Sequence, residues 1–559
     1  VYRTGFFRSG MAATAFQNPS ISSLTSSGDI IISRISPDGK YLAYIANNKG
    51  KYSLWVRQLT VASAVQIIPP GNDPLNNVAF TPDGNFLDYT ITRTQEVHGK
   101  VFQLPVLGGT PRLVAVDVDT EVSFSPDASQ ITYAKVDPPN SKLIVMIAKA
   151  DGKDAHQLAE LSSSNVYGNY VLRWSPDGKR IAALDKTIRD AEGLDVGLVE
   201  IDVASGKAKN ILGRRWRDVM DFTWLPDGSG FLLSALNKTG QEPQIWLVSY
   251  SNGSVRRISN DLSRYLSISI SADGKTIAST QQNVSSSLWV GSVHSPDDIH
   301  QVTSGRLDGQ QSVAFLPDNR LVYIANHAEN WDIFVSDLDG NTRQLTFDNR
   351  FHQVLDVCDH GKSIVYGTDS SSGGEIWKLD PQTGSASKLV DGLLPSCGGS
   401  DFVFYMRQDA SGSYIFKVPF AGGTPQKVSE RPSFSPPFVS MDGHHVTFAT
   451  AGKDGVVDAL TLSADTGATE AERLVPPTFD NVNHAGCITS TNQSMALSDV
   501  RSGAPNLWEI PYSGHNPEKQ ITHFNSGLIW TCGYSPDGKY FAVARGAVQS
   551  DVVLFTSGK

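Results

Sequence analysis

A four-residue turn, Ser-Pro-Asp-Gly or a relative of it, recurs twelve times along the 559 residues. It is complete at Ser36, Ser175 and Ser535. Close copies start at Thr81, Ser125, Leu225, Ser271 and Leu316, and degraded ones at Cys358, Ser396, Ser440 and Ser490. Successive copies start 38 to 50 residues apart. Pro fixes φ at the first corner, Asp can accept from the backbone ahead of it, and Gly tolerates positive φ. Strand-like runs flank the turn, as Ile31–Ile35 before and Tyr41–Ile45 after the first copy, so each copy joins two short strands as a hairpin. A third strand follows in most units, marked by an apolar pair ending in an aromatic residue (Leu54-Trp55, Ile245-Trp246, Leu288-Trp289, Ile376-Trp377, Leu507-Trp508). A fourth closes each unit, as in Arg343-Gln344-Leu345-Thr346 and Lys519-Gln520-Ile521-Thr522. The aromatic positions are read as packing between units.

Four strands in roughly 45 residues is the size of a β-propeller blade. The fold expected is therefore all-β, with tandem β-propellers of about twelve four-stranded blades in total. Twelve exceed the roughly four to eight blades of one ring, so two rings of about six are expected. The twelfth unit stops after its third strand, Asp551–Phe555, whereas Ile21–Thr25 forms an orphan fourth strand near the start. Pairing the two would cover an open edge and close a ring. The division expected is a tail and ring-closing strand over 1–28, a first propeller over 29–305 and a second over 306–559. The sequence leaves open which ring owns the final blade.

Composition narrows the function. A formal net charge of −10 argues against a nucleic-acid partner, which would need a basic face. No run of about 18 apolar residues is present to span a membrane. The start at Val1, without an initiator Met, reads as the flank of a removed segment, so a membrane link would run through a segment missing from this chain. The four cysteines, Cys358, Cys397, Cys487 and Cys532, form no CxxC pair and are read as too few for a disulfide framework. No histidine cluster lies at zinc spacing, so neither metal nor cofactor is expected.

Propeller enzymes leave signatures that are missing here. No serine has glycine at both −2 and +2, which sets aside a hydrolase elbow. The turn aspartates lack the Gly-x-Thr-Trp of a sialidase-type Asp box and are read as turn formers. Asp337–Asn341 resembles a calcium loop but has no distal Glu, and is read as a hairpin. The expectation is thus a non-enzymatic module binding a protein or small-molecule ligand, with a cation-dependent lactonase-type hydrolase or a structural subunit of an assembly as alternatives. Loops from the fourth strand of one blade to the first of the next gather at one ring mouth. Their unusual side chains, Arg214, Trp216, Arg217, Phe351, His352, Asn483, His484 and Trp530, are the candidate binding residues, since aromatic and Arg side chains anchor interfaces.

The turn, the Leu-Trp-Val third strand and the Gln-Leu-Thr fourth strand together resemble the TolB-like, WD-repeat-like propeller family over roughly residues 17 to 559. The run Phe16–Gly28 leading into Ile35–Tyr44, with Ser53–Leu59 and the ending Ser550–Leu554, is similar to the C-terminal propeller region of bacterial membrane-anchored Ser/Thr kinases and winged-helix regulators. That resemblance implies a sensor or scaffold on the periplasmic or extracellular side of a bacterial membrane. It carries no kinase activity, because the chain has no GxGxxG, HRD-type or DFG motif.

Overall fold

A computed structural model describes residues 16–557, except 62, 94–97, 138–141, 163–169, 189–193, 238–241, 328–330, 349, 369–373, 410–411, 452–456, 475–485, 490–493 and 512–516. The described residues form ten four-stranded antiparallel sheets and one six-stranded sheet. Each four-stranded sheet follows the order of the sequence, first to fourth strand.

The hairpin turn behaves as its residues dictate. Ser36 Oγ donates to Asp38 Oδ1 (2.7 Å), which accepts from the Lys40 amide (3.0 Å), while Tyr41 N donates back to Ser36 Oγ (2.9 Å). Gly39 closes the corner at φ +71°. The same Ser–Asp bond recurs at Ser125, Ser175, Ser271, Ser440 and Ser535. Hydrogen bonding from Ser125 holds the Asp127 carboxyl down at about 2. These aspartates are turn formers. So is Asp337, whose carboxylate accepts from the Asp339 and Asn341 amides of its own hairpin.

The chain forms two compact units. One runs to Asn283 and adds Gln549–Lys559; the other holds Val284–Val548. Five four-stranded sheets lie in each. Within each unit most first strands pack against the next, and strands of the six-stranded sheet complete the circuit, Arg264–Ile270 meeting Ile30–Ile35 and Leu528–Tyr534 meeting Val313–Phe315. The boundary, expected near Gly305, falls at 283/284, inside a strand.

The reason is that two hairpins anticipated from the sequence are not made. Thr276–Ser292 and Tyr540–Thr556 are single strands of 17 residues, and they are neighbours in the six-stranded sheet. Elsewhere the second strand turns back through residues such as Asn48-Lys49-Gly50, with Lys49 and Gly50 at positive φ. Between Thr280 and Leu288 stands Gln-Gln-Asn-Val-Ser-Ser-Ser, without glycine or proline, and the strand continues.

The sixth blade of the first unit is accordingly composite. Arg264–Ile270 and residues 276–283 supply its first two strands, residues 549–556 the third, and Ser20–Ser23 the fourth. Ser20–Ser23 pairs antiparallel with Thr556–Val553, and Leu24 N donates to Val552 O (2.8 Å), which is the closure expected from the sequence. The sixth blade of the second unit takes Leu528–Tyr534 and residues 540–548 from its far end, then residues 284–292 and Ser295–Gln301 from its start. The second unit is thus a contiguous insertion between the second and third strands of the first unit's last blade.

Candidate functional site

Along a strand, side chains alternate between faces. The first strands of neighbouring blades lie against one another and pack on both faces, so the residues they leave toward the central channel decide what a ring can bind.

In the first unit the channel is crossed by four charges. Arg34 Nη1 lies 3.0 Å from Asp221 Oδ2, and Arg34 Nε donates to Glu121 Oε1 (2.9 Å) while Nη2 meets Oε2. Arg173 Nη2 is shared between Glu121 Oε2 (3.0 Å) and Asp221 Oδ1 (2.9 Å). Asp221 also accepts from the Phe222 and Ile268 amides. Two cations and two anions make a neutral, closed cycle spanning four blades. Burial works against Arg34's charge, yet Asp221 and Glu121 outweigh it and raise its pKa. Burial likewise opposes the Glu121 carboxylate, and Arg173 with Arg34 holds its pKa below the usual range. These carboxylates are committed to guanidinium groups. A cavity of about 260 Å³ remains beside them.

The second unit's channel is different. A cavity of about 570 Å³ runs along its inner strands to the hairpin turns, within the roughly 300–1,000 Å³ range of ligand sites. Its wall is more apolar than polar: Ala314, Val354, Val357, Phe438 and Met441 line it with Pro317, Pro436 and Pro536 near the turns, alongside the polar Gln311, Ser312, His360, Ser396 and Thr531. Among the described residues, one carboxylate lies in the wall. Asp356 accepts from Ser396 Oγ (2.9 Å), the Cys397 amide (2.9 Å) and the Val357 amide (2.8 Å), which ties it to the neighbouring blade.

Of the loop residues singled out from the sequence, Trp216, Arg217, Phe351, His352 and Trp530 are not among those lining this channel. Trp216 ends the fourth strand Ala208–Trp216 rather than sitting in a loop, and is buried in a blade core 5.1 Å from the Trp246 ring. His352 opens the first strand His352–Cys358 and is fully buried. Both side chains are buried at a strand end. Phe351 packs edge-on to Trp331, and Trp530 Nε1 donates to Ser285 O (3.2 Å). Arg217 is half-buried, Arg214 lies in the same strand as Trp216, and Asn483 and His484 fall outside the described residues.

The expectation that the cysteines form no framework is corrected. Cys358–Cys397 and Cys487–Cys532 are disulfides, with Cα atoms 5.8 and 5.5 Å apart. The paired cysteines lie 39 and 45 residues apart, which is one blade, so each bridge ties adjacent blades at the ends of their first strands. Repeat spacing rather than local clustering brings them together. Thiol titration of the unfolded protein should detect four thiols only after reduction, and reduction should lower the second unit's stability by about 2–4 kcal/mol per bridge. Four reactive thiols without reductant would contradict the pairing.

Residues 123–344 match the family model of the TolB beta propeller domain. Among solved structures the chain is similar to TolB from Acinetobacter baumannii, at 14% identity over 55% of this chain and 64% of that one, with a TM-score of 0.34. It is similar to the tricorn protease at 11% identity over 88% and 62%, with a TM-score of 0.35. For the oligogalacturonate lyase from Vibrio parahaemolyticus the values are 10%, 66%, 97% and 0.33. The chain therefore spans somewhat under two thirds of the first two. No curated protein sequence matches it.

Proposed function

We propose that this chain, built from TolB-like β-propeller repeats, is a non-enzymatic binding module that takes an apolar segment of a protein or a small apolar ligand into the channel of its second unit. The observation carrying this reading is the wall itself. Catalysis in a propeller channel needs carboxylates or imidazoles free to move protons or hold a cation. Among the described residues, the first unit's channel carboxylates are neutralised by Arg34 and Arg173, Asp356 is held by main-chain and serine donors, and the one imidazole in the wall of the second unit's cavity is the exposed His360 at a turn. A cavity of this size whose wall is more apolar than polar favours recognition by burial, with its polar groups fixing orientation. The two disulfides support an extracytoplasmic location, since such bonds persist in oxidising compartments.

Photo-crosslinking tests the reading. A benzophenone side chain at Met441, facing the channel, should give a discrete adduct in the native envelope, and Val357→Glu in the same wall should cut its yield by about ten-fold or more, as expected for roughly 1.4 kcal/mol of lost affinity. Adducts equal in yield with and without Val357→Glu would remove the channel from consideration.

A further inference from the structure

We propose that Asp332, Asp348 and His352 of the second unit form a binding site for a divalent first-row metal cation of the Zn²⁺ or Mn²⁺ kind. One ligand atom from each lies within 4.8 Å of the other two. His352 Nε2 stands 3.3 Å from Asp348 Oδ1. Ligands held about 2.0–2.2 Å from one tetrahedral cation are roughly 3.3–3.6 Å apart, so the His352–Asp348 pair is already at ligand spacing. The widest of the three separations, at most 4.8 Å, closes by up to about 1.5 Å on binding.

The imidazole is set for ligation. His352 Nδ1 is bonded to the Trp331 carbonyl, which can only accept, so Nδ1 carries the proton. Whenever the ring sheds its second proton, Nε2 is therefore the nitrogen that offers the lone pair, and a carbonyl on the other nitrogen is the usual arrangement of a metal-bound histidine. The ring is fully buried, and Nε2 has no hydrogen-bond partner. It points at the two carboxylates.

Asp332 supplies an independent reason. Its position, just before the apolar pair of the third strand, accepts a hydrogen bond from the fourth-strand hydroxyl in several blades: Ser259 to Gln244 (2.7 Å), Thr522 to Asn506 (3.0 Å) and Thr346 to Asp332 (2.9 Å). In the first two the residue is an amide, and its NH₂ donates onward to loop carbonyls, as Gln244 does to Ser263 O (2.8 Å) and Asn506 to Phe524 O (3.1 Å). A carboxylate cannot make that second bond. Asp332 instead presents an anionic oxygen to the cluster, where a cation replaces the missing donors. Arg350 stands behind Asp348, with Nε 3.7 Å from Oδ2, and Glu375 lies 3.6 Å beyond Arg350 Nη1, leaving Asp348 Oδ1 toward His352. The Asp348 side chain is 37% exposed, which gives water and the cation a way in. One imidazole nitrogen with two carboxylate oxygens suits zinc or manganese rather than calcium, whose ligands are oxygens alone.

The full chain, stripped with a chelator, should take up Zn²⁺ or Mn²⁺ by calorimetry with a rise in melting temperature. Co²⁺ should develop ligand-field absorption bands at the site. All four cysteines are in disulfides, so thiols do not compete. Asp348→Asn, on the exposed side, should leave the metal-free melting temperature unchanged and weaken uptake about 10-fold or more. His352→Gln should remove the Co²⁺ bands. Absence of uptake at millimolar metal overturns the site, as does Asp348→Asn binding as well as the native chain. Equally decisive would be an NMR signal showing His352 doubly protonated at neutral pH and unmoved by metal.

Discussion

Asp221→Ala is expected to destabilise the first unit by about 3–5 kcal/mol, the usual cost of removing one partner from a buried ion pair. The loss is large because of what remains. Arg34 and Arg173 would share Glu121 alone, leaving one uncompensated positive charge in the channel, and the Ile268 and Phe222 amides would lose their acceptor. Arg34→Leu with Asp221→Leu leaves a neutral Arg173–Glu121 pair, and should cost less than the sum of the two single changes. Acid should act in the same direction as Asp221→Ala. The Glu121 pKa is lowered in the folded protein, so its contribution is present above the ordinary glutamate range and is lost as pH falls below it. Urea unfolding at neutral and acid pH would measure each effect. An Asp221→Ala loss below about 1 kcal/mol, the scale of a surface pair, would mean the cycle does not hold the channel.

Removing Gln549–Lys559 is expected to abolish folding of the first unit while leaving the second intact. The excised strand buries Val552, Val553, Leu554 and Phe555, each worth about 1.5–3 kcal/mol, against a whole-domain stability of roughly 5–15 kcal/mol. It also takes the partner of Ser20–Ser23 and the acceptor of Thr25 Oγ1, Asp551 Oδ1 (2.7 Å). Amide hydrogen exchange should therefore lose protection across the N-terminal half after a cut at the C-terminal end. Exchange confined to residues around Arg264–Asn283 would show that the other five blades stand without closure.

The repeat made the blades legible, because Ser, Pro, Asp and Gly act locally and their hydrogen bonds need no tertiary context. The pairing of Ser20–Ser23 with the terminal strand was legible for a similar reason: an unpaired edge at each end has one economical solution. The continuation of Thr276–Ser292 through the boundary was less so. Its signal is a negative one, a polar stretch lacking turn residues where a hairpin is due. For the sites, a search for conspicuous side chains in loops led to Trp216, which is spent on a blade core, and to His352, which is buried at the start of its strand. The better signal lies on the first strands. Arg34 and Arg173 sit two residues before their turns, Glu121 and Asp221 four before, and Asp356 two before, on or just ahead of those strands. Which charges meet across a ring depends on closure, which a linear pattern does not encode.

The insertion of one unit inside the last blade of the other also sets a sequence of events during synthesis. Residues 284–548 can close as soon as Val548 has left the ribosome, since every strand of that unit is then available. Five blades and half a sixth of the first unit have by then waited with an open edge for more than 260 residues of translation. Their missing strand arrives only with residues 549–556. Any message truncated within that interval yields a protein whose earliest-made portion is left unsealed and exposed to proteases, so the architecture itself rejects incomplete copies.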